Sequence, residues 1–416
     1  MKDTAKRESF EEEGTLALRL VDVVREDLRA FVVRSGMQAL AELLEEERAA
    51  LCGPRYRHDP ERTSSRAGYA PGELVMGGRR VSVARPRVRD REGREVPLGT
   101  WSAFGDEDPL DERAVRQMLL GVSTRKYGRS LEPLGPELHE RGTSKSAVSR
   151  RFVEVTSKKV DEWLGRSLDG IDPIAILIDG IHVDEHVFLV ALGIDKEGKK
   201  HVLGVREGAT ENATCCRELL CDLRERGLAT DRTTLFVLDG SKALARAVRD
   251  VFAERARIQR CQVHKTRNVV DQLPESMRAS VRSTMRQAYR TGNADKAKQQ
   301  LLNLARRLRE AHPAAAGSLE EGLDETLTVK RLDLPSGLER VLSTTNAIEN
   351  LMGSVRAHTQ RVKKWKDGRM MLRWVATALD DASTRFRRVV SATAMRDVAV
   401  ALRGTTNRIA QETDAA

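Results

Sequence analysis

Two apolar runs in this chain end on the same dipeptide. IAILIDG carries Asp179 immediately before a glycine, and TTLFVLDG repeats the arrangement with Asp239. Each run is short and continuous, as a buried strand is, so two strands deliver two carboxylates in one local context. Neighbouring strands lie about 4.8 Å apart, close enough for such carboxylates to share one or two divalent cations. Two ions about 3.5–4 Å apart can activate a water or a 3′-hydroxyl and stabilise the leaving oxygen of an in-line phosphoryl transfer. Asp-Gly also ends strands on purely conformational grounds, because both residues favour turns. Its repetition in matching contexts weighs towards the chemistry.

That chemistry wants a third carboxylate, and Glu349 in STTNAIENLMGSVRAHTQRVKKW is the candidate. The same letters carry a second meaning. Asn346 followed three residues later by Glu349 is the spacing of a capping box at a helix start. The two readings coexist if the helix packs across the strand ends with its first turn facing the metal.

The elements that must position these residues follow from periodicity. IAILIDG, HVFLVALGID and KHVLGVREG are three β-rich segments in succession, the pattern of a meander. The helix NATCCRELLCDLRERGL, the strand TTLFVLDG, the helix SKALARAVRDVFA and the strand-like RIQRCQV follow. The order βββαβαβ is that of an α/β core of the ribonuclease H-like kind. Residues 265–342 read as helical throughout and are too long for a loop, which predicts an all-helical insertion. Upstream, residues 15–50 have the spacing of one or two amphipathic helices, and ELVMGGRRVSVARPRVRD reads as two strands about a Gly-Gly turn.

The expected domains are a helical region at 1–52, a small basic β-rich module at 53–108 and a helix-turn-helix domain at 109–168. The first part of the core occupies 169–270, the helical insertion 271–342, and the Glu349 helix with further helices 343–416.

Lys and Arg total 72 against 62 Asp and Glu, a formal charge of +10, which favours a polyanionic partner. Five cysteines, three of them (Cys215, Cys216 and Cys221) in one helical stretch, argue against a disulfide framework. No apolar run approaches the roughly 20 residues that span a bilayer, and the first residues lack a signal-peptide centre. The expectation is a cytoplasmic protein with no membrane partner.

The ordered set ILIDG, LGIDKEGKKHVLGVREGATENA, LRERGL, LFVLDGSKAL, QRCQVHKTRNVVDQLP and STTNAIENL resembles the mutator-type family of bacterial insertion-sequence transposases. RAGYAPGELVMGGRRVSVARPRVRD is similar to that family's N-terminal basic segment, and LLGVSTRKY with GTSKSAVSRRF to its helix-turn-helix. The resemblance covers most of the chain. It implies a DDE transposase whose triad is Asp179, Asp239 and Glu349, binding Mg²⁺ with Mn²⁺ as a substitute. It further implies terminal inverted repeats and target DNA as substrates and, by kinship, a one-strand-first route through a circular intermediate. Synapsis of two ends predicts a homodimer, with residues 15–50 as its interface, and the DNA places the protein at the nucleoid. One departure is visible: where many members have a basic Gly-Phe-Pro-Asn-like stretch after the acidic helix, this chain has RVKKWKDGRMMLRWVATALDD. A reading from another class is a non-catalytic DNA-binding regulator derived from such an enzyme.

DNA contacts are expected in three places. Ser144 or Thr143 caps a helix whose exposed face presents Lys145, Ser149 and Arg150, preceded by Arg125 and Lys126, a polar mixture suited to a major groove. HKTRN offers Lys265, Arg267 and Asn268 to phosphates. Arg356, Arg361, Lys363 and Lys364 form a basic run beside Glu349, which as an ordinary solvated face would need no DNA. Trp365 and Trp374 read as core.

Two metal motifs compete. His182 to His186 spells H-x-x-E-H, with Glu185 as the base of an inverted zinc-peptidase motif. That chemistry needs a helix, and in a strand residues four apart lie about 13 Å from each other. Cys261-x-x-His264 has half the spacing of a zinc site and no second pair beside it. The resemblance makes Cys261 and His264 a family signature near the active site.

Overall fold

The computed structural model describes residues 31, 34–57, 62–76, 79–105, 110–131, 140–141, 143–208, 213–389 and 392–402. The chain divides into two compact units, Met1–Ser157 and Lys158–Ala416.

In the first unit, helix α1 (34–52) is followed by a long hairpin of β1 (Ser64–Met76) and β2 (Arg79–Asp90). Their register runs from Ser64 with Asp90 to Met76 with Arg79, on either side of the Gly-Gly pair, which itself lies outside the described residues. Two-residue strands β3 (Glu95–Val96) and β4 (Glu140–Arg141) both pair with β2. Leu40, Leu44 and Cys52 of α1 bury against Leu74 and Val88 of the hairpin. Arg48, 2% exposed, is neutralised by Glu45 and donates to the Tyr69 hydroxyl at 2.7 Å, so a charge inside this small core is paired rather than orphaned. Helices α2 (Gly99–Gly105) and α3 (Leu110–Leu119) follow, then α4 (Lys145–Gly165). Ala114 of α3, Tyr127, Leu131 and Val148 of α4 form one buried cluster. Ser144 accepts from the Ala147 amide at 3.3 Å, the expected cap. Of the expected helical interface at 15–50, residues 15–30, 32 and 33 lie outside the described residues.

The second unit is built on a five-stranded mixed sheet of order β7-β6-β5-β8-β9. Its strands are β5 (Pro173–Val183), β6 (His186–Asp195), β7 (Lys200–Gly208), β8 (Thr234–Leu238) and β9 (Ala256–Arg260). The first three pair antiparallel; β8 lies parallel to β5, and β9 parallel to β8. Helices α5 (Ala213–Glu225) and α6 (Lys242–Phe252) link the last three strands, giving the βββαβαβ order that the sequence predicts.

Alternation along the strands divides two cores between the two faces. Ile176 and Ile178 of β5 and Phe236 and Leu238 of β8 pack against α5 and α6. Ala175, Leu177 and Ile181 of β5 and Leu235 and Val237 of β8 pack against Ile348, Leu351, Met352 and Val355 of α12 (Asn346–Thr359) and Met371, Val375 and Leu379 of α13 (Gly368–Ser383).

Between β9 and α12 the chain is helical: α7 (Gln262–Asp271), α8 (Glu275–Arg290), α9 (Ala294–Arg309), α10 (Pro313–Glu320), two short 3-10 turns and α11 (Ser336–Leu342). These helices have their own core, including Val269, Met285, Leu301, Leu304 and Leu319. Polar ties fasten them to the sheet edge. Gln259 of β9, fully buried, donates to Thr326 O at 2.9 Å and accepts from Val329 N at 2.8 Å. Arg260 reaches Glu325 at 3.0 Å and lies so close to Gly322 that a Cβ there would meet its guanidinium at 2.6 Å. Gly322 also has a φ of +62°, so both space and backbone favour glycine. A last helix, α14 (395–402), packs Met395, Val398 and Leu402 onto the α12–α13 core.

Candidate active site at the strand ends

Asp179 does not end its strand, as the Asp-Gly dipeptide suggests. β5 runs four residues further as a hairpin with β6, while its pairing with β8 stops at Ile178 with Leu238. Asp179 and Asp239 are therefore the next residue on each strand after the last parallel pair. The same row extends to β9, where Leu238 pairs with Arg260 and Cys261 comes next. Period-two alternation aims the Asp179 side chain to the face of Leu177 and Ile181, the face that α12 covers. Glu349 sits in the first turn of that helix.

The electrostatics record the convergence. Asp179, half-buried, has its carboxyl pushed up to about 6, first by burial and then by the neighbouring charges of Asp239 and Glu349. The amide of Gly180, donating at 2.9 Å, and nearby His264 act in the opposite direction. Asp239 Oδ1 accepts from the Ser241 amide at 2.8 Å, and Ser241 in turn caps α6.

The capping-box expectation for Glu349 is overturned. Thr345, not Asn346, is the N-cap of α12, and no side chain caps its amides. The Thr345 hydroxyl instead donates to Glu349 Oε1 at 2.7 Å. The carboxylate is thus turned away from the backbone and toward His264, whose Nε2 lies 3.7 Å from Oε1.

Cys261 is the N-cap of α7, so the strand-like stretch predicted through Val263 ends at Arg260. Its Sγ accepts from His264 N at 3.5 Å and Thr345 N at 3.4 Å, and it lies 3.3 Å from Thr345 Oγ1, whose single hydrogen goes to Glu349. Burial pushes this thiol up, but the hydrogen bonds from His264 and Thr345 outweigh it and leave it lowered. His264 is raised by its hydrogen bond to Cys261, against burial, with the charges of Cys261, Glu349 and Asp179 adding to the effect. Ligand atoms of Cys261, His264 and Glu349 lie within 4.8 Å of one another, a group with the donors to hold a metal ion. Thr345, on which these contacts meet, escapes a sequence reading; its one signal is a hydroxyl directly before NAIE.

The remaining sequence candidates separate. Lys265 is buried, not offered to phosphate: its Nζ donates to the carbonyls of Ser318 and Glu321 at 2.6 Å each, and desolvation lowers its ammonium to about 8. Arg267 and Asn268 are exposed on α7. Arg356 is exposed on α12, and Arg361, Lys363 and Lys364 in the segment after it; Trp374 is buried and Trp365 packs on the same core. In the first unit Arg125, Lys126, Lys145, Ser149 and Arg150 are all exposed. The H-x-x-E-H string forms the β5–β6 hairpin rather than one strand. His182 pairs with Val187 and His186 with Val183, which sends the two imidazoles to opposite faces. His186 Nδ1 meets Glu207 at 2.5 Å, and no shared zinc ligation arises. All five cysteines are free. Among the described residues no helix is long and apolar enough to cross a membrane.

A mixed α/β unit with carboxylates at matching positions of two adjacent strands, and with a Cys261-His264-Glu349 group able to hold a metal ion, defines the general class. Comparison with known proteins gives the family: the description Transposase, Mutator family, matches residues 10–389. The chain belongs to this family, and the enzyme is a transposase. It is 29% identical over 355 residues to the transposase for insertion sequence element ISRM5 of Rhizobium meliloti (strain 1021), covering 83% of this chain and 85% of that protein. Over a shorter stretch of 175 residues it is 33% identical to the transposase for insertion sequence element IST2 of Acidithiobacillus ferrooxidans, 42% of this chain and 58% of that one. The Staphylococcus aureus transposase for insertion sequence element IS256 in transposon Tn4001 is 25% identical over 359 residues, 82% of this chain and 87% of its own.

Proposed function

We propose that this transposase is of the DDE type on a ribonuclease H-like core, with Asp179, Asp239 and Glu349 as the triad and Mg²⁺ as the ion they hold. The placement of Asp179 and Asp239 directly after the last β5–β8 pair, with α12 and its Glu349 covering that face, carries the reading. Like charges on a desolvated carboxyl are costly unless a cation joins them, and three hard oxygen donors suit Mg²⁺. Cys261 fits the ion poorly, because its sulfur is soft and already accepts two backbone amides. When bound, the metal supplies an activated water or 3′-hydroxyl and stabilises the leaving oxygen.

The chain's own residues hold and orient. Gly180 N–H fixes one oxygen of Asp179, Ser241 N–H one of Asp239, and the Thr345 hydroxyl one of Glu349. In each case one carboxylate oxygen is committed to the protein and the other remains available. Exposed Lys145, Ser149 and Arg150 on α4, with Arg125 and Lys126, are the group proposed to grip the terminal inverted repeat through a helix-turn-helix. Arg267, Asn268, Arg356, Arg361, Lys363 and Lys364 are proposed to hold phosphates nearer the carboxylates. Water-driven nicking gives 3′-hydroxyls that attack a target phosphodiester, in a homodimer that brings two ends together at the nucleoid.

The test is metal-dependent nicking of a labelled duplex taken from the DNA that flanks the coding sequence. Asp179→Ala and Asp239→Ala should each abolish nicking while binding persists. Wild-type nicking by the triple-alanine protein would overturn the triad.

A further inference from the structure

A cleft of about 900 Å³ opens on the helical insertion, lined by α7, α8 and residues 330–344. Five arginines border it: Arg267 on α7, Arg282, Arg286 and Arg290 on α8, and Arg340 on α11. All five are exposed, and none makes an ion pair with a described residue. The opposing charges are few. Glu339 is held by buried Lys330 at 2.6 Å, leaving Asp333 as the other carboxylate of the lining.

The α8 arginines recur every four residues, so they stack along one face at steps of about 6 Å. Like charges at that spacing cost a few tenths of a kcal/mol per pair and gain nothing from the fold. Apolar packing does not require them there, since the helix buries Val281, Met285, Ala288 and Tyr289 instead. A polyanion laid along the stripe removes the repulsion. A second observation points the same way: Ser343, 1% exposed, lines the cleft with a buried hydroxyl that has no hydrogen-bond partner among the described residues. An unpaired buried hydroxyl is costly, and a phosphate oxygen at that position would give it a partner.

The cleft shares a seam with the carboxylate cluster. Gln262 N donates to Ser343 O at 3.0 Å; Cys261 precedes the first of these residues, and Thr344 and Thr345 follow the second. We propose that this cleft is a track for the phosphate backbone of a DNA strand entering or leaving the carboxylates, with Arg282, Arg286 and Arg290 as its cationic wall. The direction of travel rests on the DDE reading; the binding itself does not.

The experiment uses the full chain carrying Asp179→Asn, without divalent metal, and a fluorescein-labelled duplex of mixed sequence with a single-stranded 3′ extension. Anisotropy is followed over a salt series for Arg282→Gln/Arg286→Gln/Arg290→Gln and for a control of equal charge change on α9, Lys296→Gln/Arg306→Gln/Arg307→Gln. Gln matches Arg in helix propensity, and thermal unfolding by circular dichroism verifies that both variants fold. Each lost phosphate contact flattens the plot of log K against log salt by about 0.7–0.9, so the cleft variant should lose about 2 in slope and at least ~10-fold in affinity. The α9 control should lose less than half as much, and Lys at the three cleft positions should restore most of the slope. Equal losses in the two triple variants, or none in the cleft variant, overturns the proposal. Failure of the DDE reading appears elsewhere, as nicking that survives Asp179→Asn.

Discussion

The Thr345 hydroxyl donates to Glu349 Oε1 at 2.7 Å across the first turn of α12, and the same residue's amide and hydroxyl both reach Cys261 Sγ. One threonine thus ties the residue after β9 to Glu349, the one member of the proposed triad that a helix supplies. Its role is to position, since its bonds go to the carboxylate and the thiol.

Thr345→Val keeps the volume of this buried side chain and removes the hydroxyl that donates to Glu349. Loss of such an outer partner weakens metal affinity or activity about 10–100-fold. Mn²⁺ affinity by titration calorimetry should fall by that factor, and Thr345→Ser should restore it. A merely structural role predicts the reverse pattern, in which Val is tolerated and Ser, with its missing methyl, is the worse variant.

Glu349→Gln separates the two meanings of the NAIE string. Because Glu349 caps no amide, its replacement should change the unfolding free energy by less than about 0.5 kcal/mol, below the usual cost of losing a cap. Nicking should fall at least ~100-fold, beyond the effect of an outer partner. A variant that cleaves normally but melts early would return Glu349 to the helix cap.

Asp179 makes the metal-free protein pH-dependent. Its folded-state value, about 6, stands above the ordinary 3.8, so the folded state favours the protonated form. The stabilisation from this group is full below 3.8 and is lost as pH rises through 6. The gap corresponds to roughly 2–3 kcal/mol, of which Asp179→Asn should recover a large part at pH 7. Denaturant unfolding without metal should therefore show the Asn variant more stable at pH 7 and nearly equal at pH 4. Metal binding needs the carboxylate, so Mn²⁺ affinity should drop about tenfold per pH unit below 6. An affinity flat between pH 5 and 7 would contradict the assignment.

The sheet was legible because its strands are apolar runs bounded by polar turns, and the order βββαβαβ follows from them one by one. Asp179 and Asp239 were legible for the same reason. Their facing was not visible from Asp-Gly, because it depends on β5 continuing past β8, a tertiary pairing that no local signal encodes. The start of α12 is ambiguous in the sequence because Thr345 and Asn346 are both good capping residues, and the helix takes Thr345. Nothing local in HKTRN marks Lys265 as buried: the carbonyls that hold it come from α10 and the turn after it, more than fifty residues away.

Cys261 distinguishes a tether from a metal ligand. Fully buried, its sulfur accepts two backbone amides. Cys261→Ala leaves those donors unpaired in the interior, where each costs about 1–3 kcal/mol, and should lower stability by at least ~2 kcal/mol in denaturant unfolding. Cys261→Ser keeps an acceptor and should lose less. A ligand role makes a spectroscopic claim that a tether does not. Co²⁺ bound through the thiolate gives an intense near-ultraviolet sulfur-to-metal band, which Cys261→Ser would erase. With Co²⁺ held by carboxylate oxygens, absorption should show no such band, and the Ser variant should bind Co²⁺ within a few-fold of the parent. Appearance of the band in the parent and its loss in the variant would move Cys261 and His264 into the metal's coordination sphere.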